Sequence, residues 1–110
     1  MWDYRDSTWT QDHDLVGYDV EATDGSIGKI DKATNEASDA YVVVDTGFWI
    51  FGKKRLIPAG AVTSVNHEDQ KVHVTMTKDQ IKGAPDYDAE HWNDDSRTQH
   101  GDYYSPYSSY

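Results

Sequence analysis

Between Tyr41 and Val65 two strand-like runs flank four consecutive large apolar residues, and a glycine brackets those four at each end. The first run is Ala40-Tyr41-Val42-Val43-Val44, the loop is Gly47-Phe48-Trp49-Ile50-Phe51-Gly52, and Lys53-Lys54-Arg55-Leu56-Ile57-Pro58 follows. A solvated hairpin tip does not normally carry that much hydrocarbon. The loop is therefore expected to fold into a core or onto a partner.

Around this hairpin, turn signals recur at roughly 8–12-residue intervals, the spacing of a small antiparallel barrel or sandwich. Tyr18 to Ala22 alternates with Val20 and Ala22 inward, and Asp24-Gly25 supplies a strong hairpin turn. In the second strand, Ile27 to Lys32, the apolar residues Ile27 and Ile30 are three apart, which breaks the two-residue period. A bulge at Gly28 would let both point inward and would bend the strand as a closing barrel needs. The uninterrupted apolar run of strand three, Ala40 to Asp45, predicts a central strand covered on both faces. Strand four is Lys54 to Ile57, ended by Pro58. Gly60-Ala61-Val62 then turns into strand five, Thr63 to Asn66, and His67 to Gln70 turns into strand six, Lys71 to Met76. Thr77 to Lys82 reads as one short helix, with Thr77 as N-cap, Gln80 three residues on and Gly83 as C-cap. It is the only helix expected.

Charge separates this middle from the ends. Residues 1–14 carry −3, residues 15–83 carry −2, and residues 84–110 carry −5. Nearly all Val, Ile and Leu lie in the middle, so 15–83 is the expected domain, between an N-terminal extension (1–14) and an acidic, Tyr-rich C-terminal one (84–110). The net charge of −10 repels phosphate backbones and argues against nucleic-acid binding. Lys53-Lys54-Arg55 is the one basic run, and such a run usually marks a solvated strand end. With no cysteine, neither disulfides nor thiolate metal sites form, which favours a reducing cytoplasm. No apolar stretch is long enough for a signal peptide core or a membrane-spanning helix, so no membrane insertion is expected.

The last 27 residues hold Tyr87, Trp92, Tyr103, Tyr104, Tyr107 and Tyr110. A simple solvated tail is aromatic-poor. These rings suit either an interface, where tyrosine anchors well, or a disordered end.

Taken together, Leu15-Val16-Gly17-Tyr18-Asp19-Val20, Asp24-Gly25-Ser26-Ile27-Gly28-Lys29-Ile30, Tyr41-Val42-Val43-Val44, Gly52-Lys53-Lys54-Arg55-Leu56-Ile57-Pro58 and Ala84-Pro85-Asp86-Tyr87 resemble the PRC-barrel domain. That family is named after the cytoplasmic part of the photosynthetic reaction-centre H subunit. It includes the C-terminal domain of a ribosome maturation factor and many small stand-alone bacterial proteins, to which this chain is most similar through its Tyr103-Tyr104 pair. The resemblance covers about residues 15–88. It implies an all-β, six-stranded antiparallel barrel acting as a docking module, with no shared catalytic residues and no cofactor. Many members carry an aromatic residue after the proline, where this chain has Ala59-Gly60. Nothing in these residues supports pigment or quinone binding.

The chemistry-bearing residues form no catalytic set. Glu68-Asp69 and Asp94-Asp95 fall in turns and tails where water keeps them ionised, and the serines lack a nucleophile elbow. Gly25-Ser26-Ile27-Gly28 is too short for a phosphate loop, and it does not open a helix. His67 and His73 flank one turn near Glu68 and Asp69, so a small-ligand or metal-binding barrel is the rival reading. However, pairing Val65 with Val72 sets His73 opposite Ser64 and leaves His67 further along the strand. His13, His91 and His100 are expected to be solvated. The favoured reading is a non-enzymatic module that binds a protein, with a second copy of itself as a candidate partner in a homodimer. Its expected contacts are Phe48, Trp49, Ile50 and Phe51, with Tyr103, Tyr104 and Tyr107 as further anchors. Phe48 with Ile50 or Phe51 would alternatively plug a barrel end. A domain this small buries a limited share of its surface, so a second subunit or folded-back ends would supplement the core.

Overall fold

The Asp-Gly signal makes the expected hairpin: β1 (Asp19–Ala22) turns through Thr23 and Asp24 into β2 (Gly25–Ala33), with Ala22 opposite Gly25. The structure, a computed structural model, describes residues 2–4, 6, 9–10, 14–34, 36, 38–46, 54–85, 87–88, 90 and 92–107. Along the hairpin Val20 faces Gly28 while Glu21 faces Ser26, so Ile27 is the extra residue of a bulge. That extra residue restores the inward direction of both Ile27 and Ile30, which are buried to within 2%. Gly28 sits at φ +149, and a Cβ there would lie 2.0 Å from the carbonyl oxygen of Asp45. Only a glycine allows β2 and β3 to approach at this point.

β3 (Tyr41–Asp45) pairs with β2 on one side and with β4 (Lys54–Pro58) on the other, in register from Tyr41–Pro58 to Asp45–Lys54. Its first four residues are all buried, as the unbroken apolar run predicts. Pro58 ends β4, and a buried 3-10 turn, Ala59–Ala61, leads into β5 (Val62–Asn66), which pairs antiparallel with β6 (Lys71–Val74). Ser64 lies opposite His73 and Val65 opposite Val72.

The sheet order is β4-β3-β2-β1-β6-β5, and two features depart from the expected antiparallel barrel. First, β1 and β6 run parallel, with Val20 beside Val72, so the sheet is mixed. Alternation of apolar residues reports which face a strand buries and carries no record of its direction. Second, the ladder does not close. β4 and β5 are its two edges, and the covalent turn Ala59–Ala61 joins them where hydrogen bonds would complete a barrel. Strand six is also shorter than expected, because Thr75 and Met76 bend over the end of the sheet, where the Thr23 N–H donates to the Met76 carbonyl.

Helix α1 (Lys78–Lys82) starts with the full capping box: the Gln80 N–H donates to Thr77 Oγ1 (3.2 Å), and the Thr77 N–H donates to Gln80 Oε1 (2.9 Å). It buries Ile81. A second helix, α2 (Asp94–Tyr104), corrects the expectation of a single one. Asn93 caps it by accepting from the Ser96 N–H, and Asp94 and Asp95 favour its first turn by charge. The only residues it buries are His100 and Tyr104, so no apolar stripe reveals it in the sequence.

Candidate interaction surface

The Asp45–Lys54 pair fixes the mouth of the β3–β4 hairpin, and Asp45 and Thr46 lie beside Gly28 of β2. Thr46, the last described residue before the loop, is buried. Phe48, Trp49, Ile50 and Phe51 lie outside the described residues.

Beyond the loop, Lys54 and Arg55 of the basic run take different partners. Lys54 donates to Asp31 at 2.6 Å, and that hydrogen bond and charge hold its ammonium above the usual lysine range. Arg55 is buried, and its guanidinium caps α1 from behind, donating to the carbonyls of Ile81 (3.2 Å) and Lys82 (3.0 Å). A buried arginine is expensive unless hydrogen-bonded, and the terminal carbonyls of a helix are suitable acceptors. Both side chains are thus engaged within this chain.

The three C-terminal tyrosines separate by role. Tyr104 is fully buried among the core residues of the sheet, so its ring completes this chain's own fold and presents nothing to a second molecule. Among the described residues no hydrogen-bond partner meets its hydroxyl; burial pushes the phenol far above the ordinary tyrosine range, with Arg55 opposing. Tyr103 is half-buried, and its hydroxyl donates to the Gln80 carbonyl beside Gly83, where a Cβ would come within 2.9 Å of that hydroxyl. Tyr107 is also half-buried and accepts through its carbonyl from the Thr75 hydroxyl at 2.7 Å. The C-terminal segment is thus tied to α1 and to the bend that follows β6.

A second aromatic cluster covers the outer face of β3. Tyr41, Val43 and Leu56 are buried there beneath Trp2, Tyr87 and Trp92. Trp2 meets Tyr41 edge-on at 6.2 Å between ring centroids, and Trp92 lies 5.6 Å from Tyr87 and 5.9 Å from Tyr41. The Arg97 guanidinium lies 4.9 Å above Trp2 and pairs with Asp39 at 3.4 Å. Two-sided burial of β3 was legible in sequence; that Trp2 and Trp92 cover it was not, because they lie 39 residues before and 51 after Tyr41 with no periodic pattern linking them.

His100 contradicts the expected solvated histidine. It is buried against Trp92, 5.1 Å between centroids, with Nδ1 donating to the Ser96 carbonyl (2.8 Å) and Nε2 meeting no partner among the described residues. His67 bonds the Tyr18 hydroxyl at 2.9 Å and stacks edge-on against that ring. His13 and His91 lie outside the described residues. Among the described residues no three His, Asp or Glu side chains are grouped to hold a metal ion. Two concavities flank α2, of about 440 Å³ around Trp92 and Arg97 and about 330 Å³ around Trp2 and Gly101. Both are open to solvent. No described helix is long and apolar enough to cross a membrane.

The family model of the PRC-barrel domain matches residues 11–81, more than half of the sequence. The chain belongs to the PRC-barrel domain family. Its six strands fit that assignment, with the open, mixed sheet described above. No curated protein matches the sequence. Among solved structures, a Pseudomonas aeruginosa protein described as a 16S ribosomal RNA processing protein, RimM, is similar at 22% identity and a TM-score of 0.49. The match covers 59% of this chain and 42% of that one, so this PRC-barrel chain spans less than half of that protein's length.

Proposed function

We propose that this chain is a non-enzymatic protein-docking module that binds through the apolar tip of its β3–β4 hairpin and associates with a second copy of itself. One observation carries the reading. Four large apolar residues occupy an eight-residue connection between strands, in a chain whose described surface exposes a single large hydrophobic residue, Val16. Apolar area concentrated at one point of an otherwise polar surface is the usual mark of a binding site, and tryptophan is enriched among residues that dominate binding energy. Family membership supports a docking role, and the absence of cysteine suits a reducing cytoplasm.

The alternative use of the loop is as a plug for the barrel end, and the two uses differ in what Trp49 contributes to folding. An anchor that waits for a partner adds little to the stability of the free chain. Trp49→Ala should then change the unfolding free energy by less than about 0.5 kcal/mol. A loss of roughly 3 kcal/mol or more, the cost of emptying a buried Trp site, would place the ring in the core and overturn the tip as a binding surface.

A further inference from the structure

We infer that the outer edge of β5 is a strand-pairing surface for a second copy of this chain, the two β5 strands running antiparallel across a two-fold axis. This rests on the self-association reading above and names the surface that makes the contact.

The two edges of the sheet are treated differently. Along β4, residues Arg55 to Pro58 are buried, Pro58 has no N–H to offer, and the Tyr87 N–H approaches the Lys54 carbonyl at 3.4 Å. Along β5, Ser64 and Asn66 are exposed and Thr63 and Val65 half-exposed. Among the described residues, only β6 pairs with this strand, so its outer side carries no strand partner. Exposed edges are commonly guarded by charge, proline or a bulge. Val62 to Asn66 contains no charge and no proline, and its one irregularity lies between Val62 and Ser64, leaving Ser64 to Asn66 flat. Thr63 Oγ1 donates to the His73 carbonyl at 3.1 Å, which holds the strand to β6 across that irregularity.

Charge and symmetry select the occupant. Two copies each carrying −10 repel at most surfaces, whereas antiparallel pairing of β5 with itself sets neutral residues 62–66 opposite one another. Head-to-tail pairing of β5 onto β4 of the next copy is blocked by the covered β4 edge. The association therefore closes at two copies and does not grow into a filament. A contact of about four residues a side makes a weak, concentration-dependent dimer.

Sedimentation of the full chain over a concentration series, with hydrogen exchange at both ends of the series, tests this. The expected result is a reversible dimer, with amide protection gained at residues 63–66 as concentration rises. Ser64→Lys should weaken it roughly tenfold or more with an unchanged melting curve, and Trp49→Ala should leave it intact. A monomer at every concentration overturns the proposal, as does a dimer whose added protection lies elsewhere. Exchange of the unmodified chain decides the matter even where Ser64→Lys fails to fold. If Trp49→Ala dissociates the dimer and Ser64→Lys does not, the β5 surface is wrong while docking through the hairpin tip stands.

Discussion

Gly28→Ala is the substitution whose cost follows most directly from the geometry. At φ +149 an L side chain is strained by about 1–3 kcal/mol. The added Cβ would also sit 2.0 Å from the Asp45 oxygen, 2.9 Å from its carbonyl carbon and 3.1 Å from Thr46 Cα. All three are backbone atoms, so no side-chain rotation relieves the clash. The end of β3 must move by more than an ångström, losing the Lys29–Asp45 pairing at about 1 kcal/mol per hydrogen bond. The sum is about 3–5 kcal/mol, a large part of the roughly 5–15 kcal/mol that holds a domain together. At about 4 °C per kcal/mol, the midpoint of thermal unfolding should fall by about 12–20 °C. Gly17→Ala is the control: φ there is +90, yet nothing lies within 4 Å of the added Cβ, so only the backbone strain remains. Circular dichroism melts and urea titrations of both variants measure the difference. Equal losses in the two would refute the close approach of β2 and β3, and with it the bulge as the device that bends the sheet.

Tyr104→Phe should stabilise the chain by about 1–2 kcal/mol in urea unfolding, since it removes a buried hydroxyl that has no partner among the described residues and keeps the ring. The same residue sets a pH dependence. Its folded pKa is raised above the unfolded value of 10.0, so its contribution is complete below pH 10 and is lost as pH rises further. Stability should therefore fall above pH 10, and Tyr104→Phe should reduce that slope by about 1.4 kcal/mol per pH unit. Arg55→Met should cost about 2–4 kcal/mol, because the Ile81 and Lys82 carbonyls lose a charged donor; hydrogen exchange should show α1 loosening first.

Local chemistry accounts for the parts that were legible in sequence. The Asp24-Gly25 hairpin, the Ile27/Ile30 spacing that demands a bulge, the two-sided burial of Tyr41 to Val44 and the Thr77–Gln80 capping box each involve residues close in the chain. The rest depends on contacts across long separations. The parallel β1–β6 pairing leaves no trace in alternation. Helix α2 was hidden because Asp94 to Tyr104 is polar and docks through one tyrosine and one histidine, although Asn93-Asp94-Asp95 is a readable start signal. The C-terminal rings looked equally available as anchors, yet Tyr104 is spent on the core and Trp92 on the face of β3.

Tyr104 completes the fold, and the proposed docking role requires Trp49 to be available to a partner. Hydroxyl-radical footprinting of the full chain at low concentration, read residue by residue by mass spectrometry, measures both directly. The expected pattern is strong labelling of Trp49 and near-complete protection of Tyr104. A protected Trp49 beside a freely labelled Tyr104 would contradict it.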